Sequence, residues 1–404
     1  MENPIIHNQR LQAIVDKLEA TPIASLLPND TSTSGLPSIS SSLILTGLIT
    51  ILILVLFTSY FKPLDSDAKS STWNTDPSAS KLPSPTEVTS LRIYPIKSCR
   101  GIELSRATLL PSGLELDRNW MFIDASTHDF QTIRENASMT LIDTSLNAEQ
   151  SELTISIAAA SDHAAVSVTI PAKPSQDWLK AHCTLITVQI WGSDTDAFAY
   201  SDSINSLFTP HFGGKAVKLV YKGPTARNSR GNADPSLYGE AVPHYFADVL
   251  SVLIVSESSM RDLNRQLKAS KDRDAEELTV ERFRPNVVVK GGEAWSEDRW
   301  KRVRISTKQE KGETAIPLDI VARCARCQVP NVTPSTGHKN AKEPWNTLMK
   351  FRRVDTGGVA KYKPCFGMMA IPKAKGELRV GESVLEVLEL TDKHLYNEAR
   401  FDEL

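Results

Sequence analysis

The clearest signals along this chain are changes in the spacing of its apolar residues. Between His7 and Ala20, Leu11, Ile14, Val15 and Leu18 recur at helical spacing, which predicts a short amphipathic helix. From Gly35 to Phe61 no charged residue occurs, and Leu43 to Phe61 is an almost unbroken apolar run. At about 1.5 Å per residue the run makes roughly 28 Å of helix, close to the hydrocarbon thickness of a bilayer. It lacks the polar face of a core helix. A mostly polar segment precedes it, whereas a signal peptide starts near residue 1 with a basic stretch. The expectation is a polar segment over 1–42, a single transmembrane helix over 43–61 and a flexible Ser-, Pro-, Thr- and Asp-rich tether over 62–86. Orientation stays open, because Lys62 and Lys69 are offset by Asp65 and Asp67.

From Val88 onward short strands take over. Leu91 and Ile93 around Arg92, Trp120 to Ile123, Leu153 to Ile157, Ala165 to Ile170 and Thr184 to Trp191 are alternating or β-branched runs between polar turns. After the Arg-dotted stretch Tyr221 to Tyr245 comes a buried-type strand, Ser251 to Val255. A capped helix then runs from about Ser258 to Ala269, with Met260, Leu263 and Leu267 on one face. Further strands are expected at Asn286 to Lys290, Arg302 to Ser306, Ile316 to Ala322, Cys365 to Ile371 and Ser383 to Leu390. Strands dominate and no βαβ alternation is evident. The fold class is therefore a β-dominated α+β chain with two modules, 87–220 and 240–391, built as barrels or sandwiches and not as a nucleotide-binding doubly wound sheet.

Composition narrows the chemistry. The 404 residues carry 46 Lys plus Arg against 48 Asp plus Glu, a net charge of -2, so no global basic field gathers nucleic acid. Five cysteines at this length argue for a reducing compartment and against a disulfide scaffold. No phosphate-cradling glycine motif is present, and Gly291-Gly292 reads as a turn.

Chemistry must then come from a few dense clusters. Tyr94-Pro95-Ile96-Lys97-Ser98-Cys99-Arg100-Gly101 brings a cation, a hydroxyl and backbone N–H groups to one turn, which suits an anion, or else is a solvated basic turn. Asp117-Arg118-Asn119-Trp120 and Arg282-Phe283-Arg284-Pro285-Asn286 each set a guanidinium just before a strand, where a structural ion pair is the alternative. Arg323-Cys324-Ala325-Arg326-Cys327 is the one close cysteine pair. A structural zinc site needs four ligands and a thioredoxin-like pair needs a βαβ context, and neither is present. A soft thiolate flanked by Arg323 and Arg326 suits a soft transition metal or a nucleophile, while two buried, inert cysteines are the plainer option.

Taken in order, YPIKSCRG, DRNW, ERFRPN, RCARCQVPNV with PSTG, and CFG resemble the MOSC family of molybdenum-cofactor proteins, over about Val88 to Leu390. With the single N-terminal span, the chain is similar within that family to the mitochondrial amidoxime-reducing components, of a fungal type. The resemblance implies an N-terminal MOSC-associated β-barrel-like domain, a MOSC β-barrel domain and a molybdenum pyranopterin. It implies Cys327 as the metal thiolate and catalytic residue, and Lys97, Ser98, Arg118, Arg284, Asn286, Arg326 and Asn331 as cofactor-binding or contact-orienting groups. It further implies reduction of amidoximes and hydroxylamines by oxygen-atom removal, electrons from cytochrome b5 and NADH-cytochrome b5 reductase, and an outer mitochondrial membrane with a cytosolic body, the ER being the alternative. A MOSC-type protein of sulfur transfer or cofactor sulfuration is the rival, although the pyridoxal-phosphate domain of full-length sulfurases has no counterpart here. Thr333, Met368-Met369 and Val249-Leu250 depart from residues found in relatives, which loosens expectations about substrate shape.

Overall fold

The computed structural model describes residues 81–160, 164–269, 277–309 and 312–404. The expected amphipathic helix, the expected transmembrane helix at 43–61 and most of the tether lie outside the described residues. Among the described residues no helix is long and apolar enough to cross a membrane.

The centre of the protein is a closed barrel. Its strands follow the order Val287–Val289, Val252–Ser256, Cys365–Pro372, Gly312–Ala325, Trp300–Gln309, Ser383–Leu390 and Thr86–Ile93, and the last pairs back with the first. Closure leaves few ladder groups exposed at an edge. Strand Thr86–Ile93 belongs by sequence to the N-terminal half, yet it pairs with both Val287–Val289 and Ser383–Leu390. The interior is filled by Leu91, Ile93, Ile254, Val287, Val303, Ile305, Leu318, Ile320, Met368 and Leu385, all buried.

One pairing departs from the sequence expectation. Val252–Ser256 and Val287–Val289 run parallel, joined through helix Glu257–Ala269, so the barrel contains a single βαβ crossover that the strand count concealed. A parallel pair cannot be joined by a hairpin, and the helix supplies the connection. Ser256 Oγ caps that helix by accepting the Ser259 N–H at 3.2 Å. Its apolar face, Met260, Leu263 and Leu267, packs on Val255, Phe283, Val288 and Phe366.

The N-terminal half adds smaller antiparallel sheets. Trp120–Asp124, Val217–Lys222, Ser193–Ala199 and Thr184–Ile190 form one, and Asp143–Leu146, Glu152–Ile157 and Val166–Pro171 form another. Ser193–Ala199 eluded the apolar pattern because Asp194 and Asp196 interrupt it. Tertiary partners resolve the conflict: Asp196 accepts from Lys222 Nζ at 2.7 Å and from the Thr225 N–H at 3.0 Å. Trp120 and Phe122 anchor this half in the same apolar cluster as the barrel interior, and the Trp120 indole donates to Tyr200 Oη at 3.1 Å. The cluster motifs sit where the two halves meet.

Candidate functional site

Tyr94 to Gly101 leaves strand Thr86–Ile93 and is zipped to the Asp117 to Trp120 turn. Arg118 N–H donates to the Tyr94 carbonyl at 2.9 Å, Trp120 N–H to the Pro95 carbonyl at 3.0 Å and Lys97 N–H to the Trp120 carbonyl at 2.8 Å. Gly101 permits this, since a Cβ there would stand 2.5 Å from the Tyr94 ring. Asn286 ties in the third motif: its Oδ1 accepts from Leu253 N–H and Arg118 Nη1, each at 3.2 Å, while its Nδ2 donates to the Arg92 carbonyl at 3.3 Å. Three turns far apart in sequence thereby become one surface.

Ser98, Arg118 and Arg284 all hold the left-handed conformation, at φ 71°, 53° and 57°. Non-glycine residues adopt it at a cost of about 1 kcal/mol or more each, so the surrounding contacts must over-determine these turns. Tyr94 is one such contact. Its buried ring lies between two guanidiniums, 4.5 Å from Arg118 and 4.1 Å from Arg284. Burial pushes the Tyr94 phenol above its usual value, with Arg284 opposing. Arg118 also pairs with buried Asp117, and Arg284 donates to the Cys99 carbonyl at 2.7 Å. Burial pushes the Arg284 guanidinium down.

Cys324 lies in strand Gly312–Ala325 and Cys327 just beyond it; the strand's ladder against Cys365–Pro372 slips between Arg323 and Ala325. Gly367, at φ 80°, lets the partner strand come close, since a Cβ would meet Val255 at 2.7 Å. Arg323 turns away from the thiols and donates to the His394 carbonyl at 2.9 Å. Arg326 Nη1 reaches Cys324 Sγ at 3.1 Å, and its Nη2 donates to the Phe283 carbonyl at 2.8 Å. The guanidinium on Cys327 is instead that of Arg134, with Nη1 at 3.7 Å from Sγ. The expectation that Arg323 and Arg326 flank the Cys327 thiol is thus corrected: the strand's alternation sends Arg323 to the opposite face.

A cleft of about 720 Å³ unites these parts. Lys97, Ser98, Arg118, Arg284, Asn286, Arg326 and Cys327 all line it, with Arg134, Trp191 and Asp248. Asn331 does not. Buried nearby, it donates from Nδ2 to the Asn340 carbonyl at 3.0 Å and accepts the Trp345 N–H at 3.1 Å, which pins the loop after Cys327. Lys97 Nζ donates to the Phe246 carbonyl at 2.9 Å and pairs with Asp248, and burial lowers its pKa against that carboxylate's pull. Desolvation pushes the Asp248 carboxyl up, but Lys97 and Arg134 outweigh it and hold the group well below the usual carboxylate range. Trp191 stacks on Arg134 at 4.4 Å and donates to Asp248 Oδ1 at 3.2 Å. Val249, Leu250, Val359 and Met369 give the cleft an apolar stretch.

Residues 86–215 match the MOSC N-terminal beta barrel domain, and residues 242–385 match the MOSC domain. Mitochondrial amidoxime reducing component 2 of Homo sapiens is 30% identical, over 74% of this chain and 83% of that protein. The chain belongs to the MOSC-domain family. Mitochondrial amidoxime-reducing component 1 of Mus musculus is 29% identical, over 74% of this chain and 81% of that protein. The molybdenum cofactor sulfurase of Arabidopsis thaliana is 32% identical over 66% of this chain, which spans only 31% of that protein's length.

In this MOSC chain, sequence reasoning missed Arg134, Trp191 and Asp248 as cleft residues. Arg134 and Trp191 lie in turns without a motif, and only folding brings them to Cys327. Among the described residues no cluster of three or more His, Cys, Asp or Glu could hold a metal ion. A metal at Cys327 would therefore take most of its ligands from a bound organic group. The donor set fits such a group: Asp248 is the one carboxylate among the lining residues, against six Arg or Lys beside Lys97 and its neighbours, namely Arg118, Arg134, Arg230, Arg284, Arg326 and Lys363. Arg284 Nη2 and Arg326 Nε are buried without a hydrogen-bond partner, as donors awaiting an anionic ligand would be.

Proposed function

We propose that this MOSC protein is a molybdenum-cofactor reductase that removes oxygen from N-hydroxylated substrates such as amidoximes and hydroxylamines. The observation carrying the reading is the convergence of Cys327 with Lys97, Arg118, Arg284 and Arg326 on one cleft. When bound, the molybdenum pyranopterin supplies two-electron redox chemistry and an affinity for oxygen. Cys327 supplies the one protein thiolate, and Arg134 orients and charge-stabilises that sulfur. Arg118 and Arg284 would supply positive charge to the phosphate and pterin, with Ser98 and Lys97 beside them and the unpartnered Arg284 Nη2 as a ready donor. Asn286 orients Arg118, and Val249, Leu250 and Met369 keep water from the apolar part of a substrate. Each turnover takes the substrate, two electrons and two protons to the reduced product and one water. The electrons come from cytochrome b5 and its NADH-dependent reductase, and anchoring through residues 43–61 to the outer mitochondrial membrane raises their effective concentration.

The similarity to the Arabidopsis sulfurase supports a second reading, sulfur transfer to the molybdenum cofactor. Metal and pterin analysis of the purified protein, followed by benzamidoxime reduction through a cytochrome b5 chain, separates the two. A metal-loaded preparation without reductase activity sinks the first reading.

A further inference from the structure

Helix Trp345–Phe351 and the loop that runs from it into strand Cys365–Pro372 carry a second set of cations, placed quite differently from those in the cleft. Lys350, Arg353 and Lys361 are exposed, and Lys363 reaches the cleft itself. Among the described residues none of the four forms an ion pair, although the whole chain carries a net charge of -2. Arg353 donates from Nη2 to the Lys361 carbonyl at 3.1 Å, which ties the two ends of the loop together. Between these cations stand large exposed apolar side chains: Val359 is 52% exposed, Tyr362 65% and Val354 39%. Val359 also lines the cleft. One exposed carboxylate, Glu398, meets this loop, accepting the Gly358 N–H at 2.7 Å, so cations outnumber it, and exposed apolar side chains beside an excess of positive charge are the composition of a transient protein-docking surface.

We propose that this rim docks an acidic one-electron carrier protein and brings its redox group to the mouth of the cleft. The inference rests on the reductase reading, which requires two single-electron deliveries per substrate. In each, the carrier's reduced group is oxidised by one electron and the site is reduced by one. Only an occupant that touches both the rim and Val359 or Lys363 stands close enough to the cleft to do this. An excess of exposed lysines also speeds encounter with a carboxylate-rich partner, because long-range attraction raises association rates.

The test compares full-length, metal-loaded protein with a Lys350→Glu/Lys361→Glu double variant, two exposed positions outside the cleft lining. The probe is the prereduced, soluble haem domain of cytochrome b5, with its oxidation followed by stopped flow in the presence of benzamidoxime. At low salt the variant's second-order rate is expected to fall about tenfold or more, and to converge with the parent's as salt screens the rim. Turnover driven by reduced methyl viologen should be unchanged. Equal cytochrome-driven rates in parent and variant overturn the proposal. So does binding to phosphatidylserine vesicles that is lost in the variant while cytochrome oxidation persists. If viologen drives no reduction in the parent, the reductase reading has failed; affinity for the haem domain, measured calorimetrically, then judges the rim alone, and an affinity the double variant leaves intact refutes it.

Discussion

The protein uses positive charge in two regions that share a boundary and little else. In the cleft, Lys97, Arg118, Arg284 and Arg326 are each held by carbonyls, a carboxylate or an aromatic face. On the rim, Lys350, Arg353 and Lys361 are exposed and have no carboxylate partner among the described residues, though Arg353 donates to the Lys361 carbonyl and Lys361 lies over the Tyr362 ring. Held charge is preorganised: its orientation is settled during folding, so a bound anion need not pay to order it. Exposed charge is screened by salt and acts over distance, so it steers encounter more than it fixes geometry.

The strongest way to break this division is to remove the thiol around which the held charges gather. Cys327→Ala should reduce molybdenum in elemental analysis to background and abolish reductase turnover, whereas Cys324→Ala should retain most of both; the reverse pattern would falsify the ligand assignment. Next in size is Arg118→Leu, which leaves Asp117 buried without its cation. Loss of one partner of a buried pair costs about 3–5 kcal/mol, read as a lowered urea midpoint, while Lys361→Leu on the rim should change that midpoint by less than about 0.5 kcal/mol. Equal effects would erase the distinction.

Acid sharpens the same contrast. His244 lies buried, and burial, with Arg227 and Lys97 adding to it and the Asn228 backbone and Asp248 opposing, pushes its pKa down to about 3 from 6.5. The unfolded chain binds this proton at a higher pH than the native one. Stability is therefore full above about 6.5 and is lost as pH falls toward 3, by up to a few kcal/mol. Urea midpoints across that window should flatten in His244→Phe and stay parallel to the parent in the rim variants. The smallest effect is expected on the apolar wall: Leu250→Ser should raise KM for a bulky aromatic amidoxime a few-fold and leave kcat nearly unchanged.

Much of the barrel was visible in advance because its strands are short, continuous or alternating apolar runs. Ser383 to Leu390 and Cys365 to Ile371 coincide with observed strands to within a residue. The parallel pairing around helix Glu257–Ala269 was not visible, since a buried run reads alike whichever way its neighbour points. At the site, the turns holding Lys97, Arg118, Arg284 and Cys327 stood out by residue type. Asn331 stood with them in sequence, yet its amide is consumed by its own loop. Arg134 carried no local signal because its partners, Cys327, Asp248 and Trp191, are supplied by other segments.

By itself, the order of residues determined which segments become strands and which turns concentrate cations, because side-chain periodicity and turn chemistry act over a few residues. Only the tertiary structure decided that strand Thr86–Ile93 closes a barrel with partners some two hundred residues away. It also decided that Arg323 leaves the thiols while Arg134 arrives, and which cations are buried and which are exposed. Those outcomes depend on burial and on hydrogen bonds between distant segments, and they come into being when the core assembles.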